Sequence, residues 1–275
     1  MQTSPEWKNY CRTTSNASFG GLMKPDISVM ICTNVYDDYV DKALKSIETQ
    51  THENIEILVV ANGMSDFNFQ KLKERAIDRR IVLLHTPIAG VAFSRNLALH
   101  HCKAPLIAVM DADDISHPNR LAEQYRFMRE NTHVVVCGSG YDTIDERDNV
   151  ISTTQLPLDD RHIRRQLPWK NPICHPATVY RTTHIREIGG YAGNGAEDYD
   201  LWLRVAQNTA WHFQNLEIPL ISYRIPIVSK ARRSRKVYTH VATTQFQHFI
   251  SSWNPKWIMA TGATLLKKYV RSERD

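Results

Sequence analysis

The densest chemical signal in the chain is Asp111-Ala112-Asp113-Asp114, which follows the apolar run Leu106 to Met110. At a strand end, residues i and i+2 point the same way, so Asp111 and Asp113 share one side and Asp114 turns toward the next loop. Carboxylates this close repel unless a positive group joins them. A hard divalent cation, Mg²⁺ or Mn²⁺, held by one or two carboxylates and by substrate phosphates, is one solution. An acidic loop capping the helix after Pro118 is the other. A second pair, Glu197-Asp198, opens a segment whose Leu201, Trp202 and Val205 form an apolar helix face. Such carboxylates either complement the helix dipole or supply a general base. The dipole alone weakens a base, so burial or a neighbouring carboxylate would have to strengthen it. In Gly90-Val91-Ala92-Phe93-Ser94-Arg95-Asn96, a glycine turn leads into a helix with an early arginine. That arrangement can meet a diphosphate or a ribose; it also fits an ordinary surface arginine.

The elements that must carry these residues alternate. Short apolar runs at Ile27–Cys32, Ile55–Val60, Ile81–Leu84, Leu106–Met110 and Val134–Cys137 read as buried strands. Between them, Val40, Ala43, Leu44 and Ile47 recur at helical spacing with Asp37 or Asp38 placed to cap, and Phe69, Leu72 and Ala76 suggest a second helix. A third starts at Ser94, and Pro118 is expected as the first residue of a fourth. Cys174 to Tyr180 reads as a further strand, followed by a helix near Ile185, the Gly189-Gly190 turn and a helix from about Asp198 to Ala206. This order implies an α/β fold with a mostly parallel central sheet covered on both faces. Ligands in such folds sit beyond the carboxyl ends of the strands, which gathers Thr33, Ala61-Asn62 and Asp111 to Asp114 around one crevice.

Taken in order, these segments resemble the family 2 glycosyltransferases of the GT-A fold. The likeness runs from about Ile27 to Arg224. It includes Ala43-Leu44-Lys45-Ser46-Ile47, Ser94-Arg95-Asn96, the Asp111–Asp114 segment with Pro118 and Arg120-Leu121, Gly189-Gly190-Tyr191, Glu197 to Arg204, and Tyr223-Arg224. The resemblance implies a single GT-A domain and an inverting transfer from a nucleotide-sugar, with a UDP-sugar the expected donor, to a glycan hydroxyl in surface polysaccharide synthesis. It places Thr33 beside the base and Arg95 near the donor. It makes Asp111–Asp114 the DxD motif: one carboxylate, Asp111 or Asp113, meets the ribose, and Asp113 or Asp114 binds Mn²⁺ or Mg²⁺. Asp198 becomes the catalytic base, with Glu197 at the substrate beside it. Where the family commonly has Asp-Asp or Asp-Asn after the second strand, this chain has Ala61-Asn62, which leaves Asn62 to meet the base.

Charge divides the chain. Residues 1–225 hold 24 Lys+Arg against 27 Asp+Glu, whereas residues 226–275 hold 10 against 2. An acidic body argues against nucleic acid as a partner. The expected organisation is a polar N-terminal extension over 1–24, the transferase domain over 25–225, and a basic amphipathic helical tail over 226–275. In the tail, the cluster at 230–236 precedes Tyr238, Val241, Phe246, Phe249 and Trp253 at helical spacing. Aromatics beside a basic cluster suit an anionic membrane surface, as a lipid-linked acceptor would require; a helix packed on the domain with a solvated basic face is the alternative. The sequence has no long apolar run and no apolar N-terminal core, so the expected location is the cytoplasm, peripheral to the membrane's inner face. Five cysteines without a C-x-x-C pair read as buried free thiols.

Competing functions meet obstacles. A sugar nucleotidyltransferase needs a Gly-rich basic loop after the first strand, where this chain has Cys32-Thr33-Asn34-Val35-Tyr36. A non-catalytic binding or membrane-adaptor protein on a degenerate transferase fold fits Ala61 but not the intact Asp113, Asp114 and Asp198.

Overall fold

A computed structural model describes residues 12–14, 24–193, 195–225 and 235–270. Most of the N-terminal extension and residues 230–234 of the basic cluster lie outside the described residues. Four parallel strands form one half of the sheet: β2 (Ile27–Thr33), β3 (Ile55–Asn62), β4 (Ile81–Thr86) and β5 (Leu106–Asp111). Each is an almost uninterrupted apolar run because both of its faces are covered. β1 (Arg12–Thr14), from the polar extension, pairs antiparallel with β4.

Helices fill the crossovers. α1 (Asp38–Glu48) starts at Asp37, whose carboxylate accepts the N–H groups of Tyr39 and Val40. It buries Val40, Ala43, Leu44 and Ile47 together with Leu72 of α2 (Asp66–Arg75). α3 (Val91–His101) covers the opposite face through Leu97, Ala98 and Leu99. It begins three residues before Ser94, with Gly90 as its cap.

The second half of the sheet is mixed. β6 (Ile115–Ser116), α4 (Arg120–Glu130), β7 (Val134–Ile144), β8 (Val150–Thr154) and α5 (Asp160–Gln166) lead to β9 (Val179–Arg181), which lies antiparallel between β5 and β7. After α6 (Thr182–Glu187) and α7 (Glu197–Val205), β10 (His212–Arg224) runs parallel to β7 and carries β6 on its far side.

Two sequence expectations fail locally. Pro118 lies in a turn, and α4 starts at Arg120. The Pro118 carbonyl is taken by Thr51 N–H, and Gln50 accepts the Leu121 N–H, so remote groups set this helix start. Cys174 to Tyr180 is not one strand. Pro176 has no N–H for a ladder, and His175–Ala177 closes a 3₁₀ turn before β9 begins. The Ala177 carbonyl goes instead to Gln124 of α4, and the Thr178 carbonyl is shared between the Val109 N–H of β5 at 2.9 Å and the buried Arg120 of α4 at 3.3 Å.

The tail forms two helices, α8 (Arg235–Ser252) and α9 (Pro255–Val270). Val237, Val241 and Trp257 are buried in the same cluster as Trp202 of α7. Among the described residues no helix is long and apolar enough to cross a membrane, and Cys32, Cys102, Cys137 and Cys174 are free thiols.

Candidate active site

Three strand ends and one helix start meet at a cleft of about 570 Å³. β2 brings Thr33, β3 brings Asn62, β5 brings Asp111 with Asp113 just beyond it, and α3 brings Gly90 and Arg95. The pairing that aligns Thr33 with Ala61 and Cys32 with Asp111 sets these residues side by side. Thr33 bends the chain as it leaves the sheet, its hydroxyl donating to the Val35 carbonyl at 2.5 Å. At the end of β3 the alternation of faces decides the outcome. Ala61 is fully buried in the core, whereas Asn62 lines the cleft. Asn62 is 7% exposed, and its Oδ1 has no partner among the described residues. Gly63 follows at φ +61°, where a Cβ would lie 2.8 Å from that of Ala89, so a side chain there would strain both the backbone and the wall.

Arg95 ties the cleft to the Glu-Asp motif. Its Nη2 donates to Asp111 Oδ1 at 3.3 Å and its Nη1 to Glu197 Oε1 at 3.2 Å, and the guanidinium lies over the Tyr191 ring. Burial works against its charge, but Asp111, Tyr191 and Glu197 outweigh it and hold its pKa above the ordinary arginine value. Glu197 also accepts the Gly195 N–H at 2.8 Å, which fixes it at the start of α7.

The acidic segment is strained electrostatically. Burial, then the neighbouring Asp113 and Glu197 charges, push the Asp111 carboxyl up against the pull of Arg95. Burial raises Asp113 likewise. Asp114 is 1% exposed and is pushed up to about 9, first by burial and then by Asp111. It does not line the cleft. Its Oδ1 accepts the Arg224 N–H at 2.8 Å, and its Oδ2 has no partner among the described residues. Arg224 was part of the motif series, but its role was not legible. Its Nε donates to the Asp113 carbonyl at 2.7 Å and its Nη1 to the Asp145 carbonyl at 2.7 Å. This one side chain shapes the whole turn.

Asp198 stands apart from the cleft lining, half-buried at the start of α7. Asn171 donates to its Oδ2 at 2.9 Å. Sequence reasoning did not find Asn171; no local pattern marks a residue 27 positions from its partner. Gly190, at φ +70°, lets the preceding turn close on Asn96, whose side chain exchanges two 2.8 Å hydrogen bonds with the backbone of Tyr191. Tyr191 is thereby set against His175, its hydroxyl 2.9 Å from His175 Nε2. From the tail, Thr244 of α8 donates at 2.8 Å to Asp200, and Asp200 also pairs with Arg204 and His240.

The structure therefore brings Thr33, Asn62, Arg95, Asp111 and Asp113 together, joins Glu197 to them through Arg95, holds Asp114 beneath the turn, and leaves Asp198 outside the cleft lining, next to Glu197 on α7. Among the described residues no three His, Cys, Asp or Glu side chains are grouped to hold a metal by themselves. A cation here would complete its shell from a ligand's phosphates.

Known proteins are similar to this chain in sequence and in fold. The O-antigen biosynthesis glycosyltransferase WbnJ of Escherichia coli is 35% identical over 230 residues, covering 82% of this chain and 89% of WbnJ. The Staphylococcus aureus TarS fragment 1-349, solved with UDP-GlcNAc, superposes with a TM-score of 0.68 at 16% identity, over 91% of this chain and 73% of that one. A mannosyltransferase from Pyrobaculum calidifontis, solved with GDP-Man and Mn²⁺, gives 0.56 at 17% identity over 88% and 70%. Both structures share the fold. Residues 28–189, more than half of the sequence, match the family described as Glycosyl transferase family 2, and the chain belongs to that family of glycosyltransferases.

Proposed function

We propose that the chain moves a sugar from a UDP-sugar to a hydroxyl of a surface-polysaccharide acceptor, inverting the anomeric centre. The observation that carries this reading is the cleft itself: a nearly buried amide oxygen of Asn62 without a partner, an arginine, and two carboxylates burdened by burial all face one space. Asn62 Oδ1 accepts an N–H from the base, Thr33 bounds the base on the other side, and Asp111 takes the ribose hydroxyls.

The donor set fits a divalent ion. Burial and mutual repulsion disfavour charge on Asp111, Asp113 and Asp114, and Asp114 Oδ2 lacks a partner, so a cation would relieve the turn. Asp113, on the cleft wall, would hold Mn²⁺ or Mg²⁺; Asp114, the other ligand expected from the sequence, lies beneath the turn and off the cleft lining. When bound, the ion supplies Lewis-acid neutralisation of the leaving diphosphate. Asp198 accepts the proton of the acceptor hydroxyl as that oxygen attacks the anomeric carbon from the face opposite the diphosphate. Asn171 orients the carboxylate, and Arg95 holds Glu197 and Asp111 in fixed relation. One displacement inverts the centre.

Likeness to an O-antigen biosynthesis glycosyltransferase supports a polysaccharide acceptor; we take that acceptor to be lipid-linked and met at the cytoplasmic membrane face. The tail hairpin exposes Phe246, Ile250, Trp253, Met259 and Leu266 beside Lys256 and Lys267, a surface suited to anionic lipid.

A thermal-shift panel of UDP-, GDP-, dTDP- and CMP-sugars with and without Mn²⁺ tests the donor. Stabilisation by UDP-sugars only when metal is present is expected; no shift with any nucleotide would sink the reading. Asp198→Asn should keep donor binding and lower transfer by about 10²–10⁴-fold. Full activity in that variant would remove Asp198 from its role.

A further inference from the structure

Between α5 and the 3₁₀ turn, residues 167–171 form a short loop held at several points. Tyr199 of α7 donates its hydroxyl to the Leu167 carbonyl, and Gln245 of α8 donates to the Pro168 carbonyl at 3.0 Å. The N–H groups of Trp169 and Lys170 both return to the Gln166 carbonyl, at 2.9 and 3.1 Å. Asn171 closes the loop from the far side. Its Oδ1 accepts the Ile173 N–H at 3.2 Å, which leaves its amide nitrogen to donate to Asp198 Oδ2 at 2.9 Å.

Trp169 is an exception within this rigid loop. It is 42% exposed, although Leu167, Pro168 and Ile173 around it are buried. Exposing a large aromatic ring costs about 25 cal/mol per Å² of apolar surface left in water. Neither the core nor the donor cleft uses this ring. Its backbone lies within two residues of Asn171, a span of roughly 7 Å at most. An exposed indole carried on the loop that also carries a group touching the candidate base can stack against the apolar C–H face of a pyranose, leaving the sugar's hydroxyls free to turn toward the carboxylate.

We propose that the 169–171 loop is the acceptor subsite: Trp169 is the platform on which the acceptor sugar ring lies, and Asn171 is a positioning residue that keeps Asp198 aimed at the attacking hydroxyl. This rests on the transferase reading above. It assigns acceptor recognition to a loop separate from the donor cleft, so the two ligands are gripped by different parts of the fold.

The test uses the full chain, UDP-sugars as donors, and p-nitrophenyl glycosides of glucose, galactose, N-acetylglucosamine and mannose as acceptor probes. Donor affinity is read by calorimetry, and glycoside binding by saturation-transfer NMR. Trp169→Ala should weaken the glycoside that wild type binds best, or raise its KM, by tenfold or more, with donor affinity held. Trp169→Phe should stay within about threefold of wild type, because a smaller ring still stacks. Asn171→Ala should lower kcat at least tenfold and move the acidic limb of the pH–rate profile upward, since a carboxylate that loses an N–H donor holds its proton more tightly. A structural role alone would not move that limb. Unchanged glycoside affinity in Trp169→Ala, an equal loss of donor affinity, or no glycoside binding to a wild type that still binds donor would each overturn the subsite and leave the donor reading standing. Failure of wild type to bind any nucleotide-sugar would overturn the reading beneath it.

Discussion

Replacing Arg95 by methionine should expose how much of the site one side chain holds. Its guanidinium is 11% exposed and is shared between Glu197, 9% exposed, and Asp111, 33% exposed. Methionine keeps most of the stem's packing and removes the charge. Removing one partner of a buried pair costs about 3–5 kcal/mol when the remaining charge has no compensation. Glu197 keeps the Gly195 N–H, and Asp111 is a third exposed to water, so a loss of about 2–4 kcal/mol is expected. In a chain of this size that lowers Tm by roughly 5–12 °C. Urea unfolding followed by tryptophan fluorescence measures the loss directly. The cause can be separated from lost packing with the Glu197→Gln background. If Arg95 matters because the Glu197 and Asp111 carboxylates both need it, Arg95→Met should cost less there by about 1–2 kcal/mol. A single variant within about 0.5 kcal/mol of wild type, or an additive cycle, would refute the bridge as the element joining α3, β5 and α7.

Asn62→Ala removes a nearly buried amide whose oxygen has no partner among the described residues. Stability should change by less than about 1 kcal/mol, while the nucleotide Kd rises roughly tenfold, the share of one hydrogen bond to a buried group; an unchanged Kd by calorimetry would move the base elsewhere. His175 is held well below the ordinary histidine value by burial first, then by Arg95 and Arg120, so it stays neutral in the folded chain. As pH falls below about 6.5 the unfolded chain takes up a proton that the folded chain refuses, and stability is lost. His175→Gln should therefore reduce the fall in urea-unfolding free energy between pH 7.5 and 5.5 by about 1 kcal/mol; the same fall in both proteins would refute the assignment.

What could be read from the sequence was what neighbours in sequence decide. The runs Ile27–Cys32, Ile55–Val60 and Leu106–Met110 announced the parallel half of the sheet because strands buried on both faces must be apolar throughout. Asp37 announced α1 because a cap acts within three residues. The strand-end rule gathered Thr33, Ala61-Asn62 and Asp111 to Asp114; Thr33, Asn62, Asp111 and Asp113 line the cleft, whereas Ala61 and Asp114 are buried away from it. The failures are all long-range. Pro118 fits a helix start by local chemistry, yet Gln50 and Thr51 hold the turn there and move the start to Arg120. Cys174–Tyr180 is apolar enough for a strand, but Pro176 interrupts it and α4 claims its carbonyls. Asp113 and Asp114 look equivalent in sequence; Arg224, 110 residues away from Asp114, turns one inward and leaves the other on the cleft. The bridge from Arg95 to Glu197 spans 102 positions and has no local signature.

The grip of α8 on α7 has a consequence for how such chains can be recombined. Thr244 and His240 hold Asp200, which lies two positions beyond the candidate base, and Gln245 holds the loop that carries Trp169. A breakpoint placed between β10 and α8, where the sequence invites one, would give a chimaera whose new tail lacks the partners of both. Grafting a foreign tail would require residues 167–171 and 197–204 to travel with it. Seen as inheritance, the hairpin and the base helix form one transmissible unit, although 29 residues of chain, 206–234, separate them.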